Sequence, residues 1–224
     1  MAQLVLWDID HTLVETRGAG RALWAEAFRQ VSGMEMREQV RIDGLTEPVI
    51  FRRTAELHGL ATNHADFEAF AQALGEAHIR HAAALRERGR ALDGAAQALE
   101  ELASRGLHQT VVTGNIRAAA EIKLTTFGLD RHLDLPVGAY AEDAEERGAL
   151  VSLAVKRAGR QPAEAVLVGD TPADMQAGLT AGVRTVGVAT GRSSTDDLHD
   201  AGACAVLSDL SDRRAVLQAL ASAL

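Results

Sequence analysis

The sequence predicts an α/β fold: a Rossmann-like, doubly wound parallel sheet interrupted by an inserted α-helical domain. Three observations carry this. Short continuous apolar runs recur with helical stretches between them, the pattern of strands covered on both faces. One interval, residues 15–90, shows only helical texture. The apolar runs also end in acidic or hydroxyl residues, at the edge where open parallel sheets bind ligands.

Taken in order, Leu4-Val5-Leu6-Trp7 leads into Asp8, Thr110-Val111-Val112 into Thr113, and Ala165-Val166-Leu167-Val168 into Gly169-Asp170. Arg184-Thr185-Val186-Gly187-Val188 and Cys204-Ala205-Val206-Leu207 complete the series. Helical patterns fill the gaps, as at 95–104 and 116–127, and Gly106 and Gly128 stand where a helix C-terminus favours glycine. Strands alternating with helices give a parallel, doubly wound sheet.

Between the first two strands the alternation stops. Leu23, Trp24, Ala27, Phe28 and Val31 fall at helical spacing, as do Phe67, Phe70, Ala71 and Leu74, and a stretch over 50–57 ends at Gly59. About 75 residues exceed an ordinary crossover. The expected division is therefore an α/β core of residues 1–14 and 91–224 and a helical domain of residues 15–90.

With 224 residues, 47% of them hydrophobic, the chain can bury a substantial core. A formal net charge of -8 argues against a nucleic acid polymer as partner. The N-terminus lacks a basic region followed by a long apolar one, and no run approaches a membrane span. A soluble, cytoplasmic protein is expected. The single cysteine, Cys204, excludes an intrachain disulfide and reads as a buried small residue. His78 and His81 read as a solvated helix face, and the acidic cluster 142–146 as charge at a helix start.

The strand ends suggest one chemistry. Any one of them reads equally as a helix cap; all three in order suit phosphoryl transfer. That reaction needs a nucleophile, neutralised phosphoryl oxygens and a protonated leaving group. Asp8 can supply a carboxylate nucleophile. Asp10, on the same side of an extended strand end, can act as general acid and then as base. Mg²⁺ favours a few carboxylates with phosphate and water oxygens; Asp8, the Asp10 carbonyl and Asp170 suit it, with Asp174 one helical turn on as support. Thr113 and the Gly114 amide can hydrogen-bond a phosphoryl oxygen, with Asn115 alongside.

These segments resemble a known family. DIDHTL at 8–13 resembles the first motif of haloacid dehalogenase-type enzymes, DxDxT. VVTGN, ending at Asn115, looks like the second, and VGDTPADMQAG at 168–178 like the fourth. Residues 184–207 resemble the closing region of phosphoglycolate-phosphatase-like members. The helical insertion falls at the cap position of subfamily I. The resemblance implies a magnesium-dependent phosphatase acting on a small phosphorylated metabolite through an aspartyl-phosphate. Asp10 sets the chain apart from the family's metal-free dehalogenases and its phosphonate-cleaving members. A sugar-phosphate mutase of the beta-phosphoglucomutase type keeps both aspartates and stands as an alternative, as does a non-catalytic binding module.

The third motif normally supplies a cation in a Lys-Pro sequence, which is absent here. Arg147, before a helix, and Lys123, mid-helix, are the two candidates. His11 stands where many members have glycine; it reads either as a proton shuttle or substrate contact, or as a turn residue facing the cap. In the turn 41–47, Arg41 and Thr46 are candidate substrate contacts, with Thr46 as helix cap the plainer reading.

Overall fold

The structure is a computed structural model describing residues 3–222. Residues 1–2 and 223–224 of the expected core, including the start of the stretch tested for a leader, lie outside the described residues. The chain begins with β1 (Leu4–Trp7) and a short β2 (Val14–Glu15). Four helices follow: α1 (Ala19–Ser32), α2 (Glu47–Leu57), α3 (His64–Arg80) and α4 (Ala82–Arg88). After β3 (Arg90–Ala91) come α5 (Ala95–Ser104), β4 (His108–Val111), α6 (Arg117–Thr126) and α7 (Arg147–Arg157). The remainder runs β5 (Ala165–Gly169), α8 (Pro172–Thr180), β6 (Arg184–Val188), α9 (Thr195–Asp200), β7 (Ala205–Leu207) and α10 (Arg213–Ser222).

Five strands form one sheet in the order β4-β1-β5-β6-β7, with every neighbouring pair parallel. Strand side chains alternate between faces, and both faces are apolar. Val5, Trp7, Val166 and Val168 pack with Leu99, Leu102, Val216 and Leu220 of α5 and α10. Leu4, Leu6 and Leu167 pack with Leu150, Val151, Ala154 and Ala177 of α7 and α8. Helices therefore cover both sides of the sheet. The chain passes to β4 on one side of β1 and to β5 on the other, so the strand order switches at β1. Asp8 directly follows β1, and its backbone N–H donates to the Val168 carbonyl at 2.9 Å. The crevice of an open α/β sheet lies at such a point.

The four helices between β2 and β3 bury their own apolar cluster, including Trp24, Phe28, Phe51, Phe67 and Phe70. Phe70 lies 4.7 Å from Trp24 and 4.6 Å from Phe51 between ring centroids, within the favoured range for aromatic pairs. β2 and β3 pair antiparallel, Val14 with Ala91 and Glu15 with Arg90. The helical segment thus leaves and re-enters at one place.

Before α7 the chain makes a 3-10 turn over Leu135–Val137, where Pro136 suits the start of the turn, and a lone bridge from Ala139 to Val112. Two local expectations are corrected. Cys204 is exposed, because it precedes β7, the short strand at the sheet edge. The acidic cluster 142–146 does not charge the first turn of α7. Glu142 instead accepts the Arg117 N–H at the start of α6, Asp143 pairs with Arg157, and Glu145 reaches Arg52 on α2.

Candidate active site

The site forms where β1, β4 and β5 end side by side. Asp8 is 6% exposed. Arg147, the first residue of α7, donates from Nη2 to Asp8 Oδ1 at 2.9 Å, and the same guanidinium bonds the Asp174 carboxylate. Asp174 is fixed from its other side: its Oδ2 accepts the Thr171 hydroxyl at 2.6 Å and the Thr171 N–H at 3.1 Å. That exchange is the capping box of α8, so helix initiation and site geometry share the same atoms. Of the two third-motif candidates, Arg147 is therefore the one against Asp8.

Asp170 completes a buried group of three carboxylates, with one oxygen from each of Asp8, Asp170 and Asp174 within 4.8 Å of one another. Burial, then the charge of Asp174, outweighs Arg147 and raises the Asp8 carboxyl to about 7. Burial, then the charges of Asp8 and Asp174, raises Asp170 to about 9. Burial works against the Arg147 charge, but Asp174 and Asp8 more than offset it and push its pKa up. One guanidinium does not neutralise three carboxylates. An all-oxygen, acidic, crowded donor set fits a divalent cation such as Mg²⁺. Gly191 leaves the room: a Cβ there would overlap Asp170 Oδ2.

Lys123 is 5% exposed, buried where α6 passes the site rather than solvated. Its Nζ donates to both Asp10 oxygens, at 2.8 and 2.7 Å, and to Asn115 Oδ1 at 2.7 Å. All three ammonium protons are thereby used. Burial pushes Asp10 up, but Lys123 and the Asn115 amide outweigh it and hold the carboxyl below its ordinary range. Asn115 Nδ2 lies 2.7 Å from both Asp10 Oδ2 and Thr113 Oγ1. Asn115 thus orients Asp10 and Thr113 rather than presenting free donors to a phosphate. Thr113 is fully buried, and its Oγ1 accepts from the Asn115 N–H and side-chain amide, leaving its own proton free to donate. Gly114 is required for a close approach, since a Cβ there would overlap the Leu45 carbonyl of the helical segment.

These groups line a cavity of about 200 Å³ between the sheet end and the helices. His11 is exposed at its wall in a left-handed conformation, φ 61°, which explains why glycine would suit this turn. Its carbonyl accepts the Thr190 hydroxyl at 2.5 Å. Of the two expected substrate contacts in the turn 41–47, Thr46 is not among the residues lining this cavity. Thr46 is buried, and its hydroxyl donates to the Glu145 carbonyl at 2.8 Å, which ties the helical segment to the core. It occupies the cap position of α2 without a side-chain capping bond. Arg41 lines an adjoining cavity with His11, Asp43 and Asp170; its side chain is 80% exposed and paired with Asp43.

Among the helix residues that line the cavity, Trp24, Glu47 and His78 were not anticipated as site residues. Glu47 Oε2 accepts the Trp24 indole N–H at 2.6 Å. Burial outweighs that bond and raises the Glu47 carboxyl to about 7. His78 is 2% exposed rather than solvated; burial, then the Lys123 charge, lowers its pKa to about 4. A signal was present, because Phe67, Phe70, Leu74 and His78 continue one helical stripe at spacings of three and four. His81 is exposed, as expected, and pairs with Glu26.

A family model described as haloacid dehalogenase-like hydrolase matches residues 5–188. The chain belongs to this family. It is 30% identical, over 96% of its length and 97% of the relative's, to a validoxylamine A 7'-phosphate phosphatase from Streptomyces hygroscopicus subsp. limoneus. It is 27% identical to a probable phosphatase, IndB, from Dickeya dadantii, over 90% of this chain and 87% of that one. A solved hydrolase from Pseudomonas syringae shares the fold with a TM-score of 0.74 and 22% identity, covering 97% of this chain and 98% of that one. The chain is an enzyme, a hydrolase. Among the described residues no helix is long and apolar enough to cross a membrane.

Proposed function

We propose that the chain hydrolyses a small-molecule phosphomonoester through a phosphorylated Asp8, with Mg²⁺ as cofactor. The observation that carries this reading is the contact of Arg147 with Asp8 at 2.9 Å beside the buried carboxylates Asp170 and Asp174. It supplies a nucleophile, a counter-cation and a cation site at the switch point of the sheet. Asp8, the Asp10 carbonyl and Asp170 would hold the metal, with Asp174 supporting them through Arg147 and Thr171. When bound, the metal would neutralise phosphoryl charge and keep Asp8 ionised.

The residues divide the remaining work. A carboxylate oxygen of Asp8 forms the bond to phosphorus as the ester oxygen departs, and Asp10 gives that oxygen a proton. Asp10, now a carboxylate, takes a proton from the water that attacks the aspartyl-phosphate; inorganic phosphate leaves and Asp8 is restored. Because Lys123 bonds both Asp10 oxygens, Asp10 takes up its first proton only when that contact loosens. Thr113 and the Gly114 amide hold phosphoryl oxygens, and Arg147 neutralises the carboxylates around the transfer. Residues 15–90 act as a cap, joined to the core through the β2–β3 pair, that excludes water on closing. The relative named for a validoxylamine phosphate supports a small organic phosphate as substrate.

The test is a phosphate-release screen over sugar phosphates, phosphoglycolate, nucleotides and an aryl phosphate, with Mg²⁺ and with chelator. Magnesium-dependent release is expected. No release from any of them by folded protein with Mg²⁺ overturns the reading.

A further inference from the structure

The helices contribute residues to the cavity lining, and one of these, His78, has a ring nitrogen without a partner. His78 Nδ1 lies 2.9 Å from the Leu74 carbonyl. A carbonyl only accepts, so Nδ1 carries the proton and Nε2 of the neutral ring presents a bare lone pair. That Nε2 is buried with no hydrogen-bond partner in the structure, an arrangement that destabilises a protein unless a ligand or water meets it. His78 lines the same cavity as Asp8 and Glu47. Glu47 adds a carboxyl group, held through Oε2 by the Trp24 indole.

We propose that His78 Nε2, together with the Glu47 carboxyl group, forms a hydrogen-bonding subsite for hydroxyl groups of the leaving group, so that the substrate is a polyhydroxylated, sugar- or cyclitol-like phosphate ester. The proposal rests on the phosphomonoesterase reading and names its substrate class. A hydroxyl can donate to Nε2 and can either donate to or accept from the Glu47 carboxyl, whereas a carboxylate or phosphate oxygen offers Nε2 no proton. A wholly apolar leaving group would leave the His78 lone pair unmet, and sites built to bond a hydroxyl reject analogues that lack it.

myo-Inositol 1-phosphate and cyclohexyl phosphate share a six-membered carbocycle and differ in its hydroxyls. With Mg²⁺, the wild-type kcat/KM should favour the hydroxylated ester, or glucose 6-phosphate tested beside it, by tenfold or more. His78→Leu should cut that preference at least fivefold; His78→Gln, which keeps an acceptor, should retain most of it. Binding read by calorimetry to the Asp8→Asn variant, with and without His78→Leu, measures the same preference without turnover. A preference near one in the wild type overturns the subsite. So does a preference that folded His78→Leu leaves unchanged, which would mean that water alone meets Nε2. Failure to release phosphate from any ester overturns the phosphatase reading instead, and the calorimetric comparison still decides the subsite.

Discussion

Replacing Glu47 with glutamine should stabilise the protein by an amount that grows with pH. Glu47 is 9% exposed, and its carboxyl is raised from an ordinary 4.5 to about 7, chiefly by burial. A group raised in the folded state contributes stability that is complete below its unfolded pKa and is lost as pH rises through the folded one. The gap between 4.5 and about 7 corresponds to roughly 3 kcal/mol in total. About 2 kcal/mol of it falls between about pH 5.5 and 8.5. Glutamine has nearly the same shape, and its carbonyl oxygen can still accept the Trp24 indole, so packing should change little. Urea unfolding of both proteins in chelator, at several pH values across that window, isolates the term, because the titrations of Asp8 and Asp170 are common to both. The stability difference should move toward Glu47→Gln by about 2 kcal/mol as pH rises. A difference that stays flat across the window would refute the reasoning, since it would show that Glu47 ionises as freely as in water.

Other outcomes follow from the same site. Asp8→Asn should abolish phosphate release while the fold persists, and in chelator it should melt no lower than wild type because it removes one of three crowded carboxylates; substantial residual turnover would misassign the nucleophile. The Asp8 and Asp170 carboxyls are raised to about 7 and about 9, so the metal-free protein should lose thermal stability as pH climbs through that range, and Mg²⁺ should raise its melting temperature more at high pH than at low. Arg147→Ala leaves Asp8 and Asp174 buried without their shared cation and should cost about 3–5 kcal/mol in urea unfolding, with activity lost. Phe70→Ala, in the middle of the aromatic cluster of the helices, should cost about 3–5 kcal/mol in the same assay.

Much of this protein was legible in its sequence, because strand covering and strand ends leave local marks. Apolar runs bounded by turn residues located β1, β4, β5, β6 and β7 to within about two residues, and Gly106 and Gly128, both with positive φ, stopped the helices where expected. Asp8, Thr113 and Asp170 could be assigned to one site before any coordinates, since parallel strands that end in one crevice bring their following residues together. What the sequence could not decide depended on distance across the fold. Only the tertiary structure brought Arg147 to Asp8, over a separation of 139 residues, and Lys123 to Asp10, over 113. It also turned Thr46 toward Glu145, drew the acidic cluster to α6 and Arg52, and exposed Cys204 at the sheet edge. His78 shows the boundary most clearly: its stripe on α3 could be read from spacing, but a histidine on a stripe has no stated burial or partner until another surface closes over it. The core closes over that helix face, and an ordinary surface reading becomes a buried, unpartnered lone pair on a residue that lines the cavity.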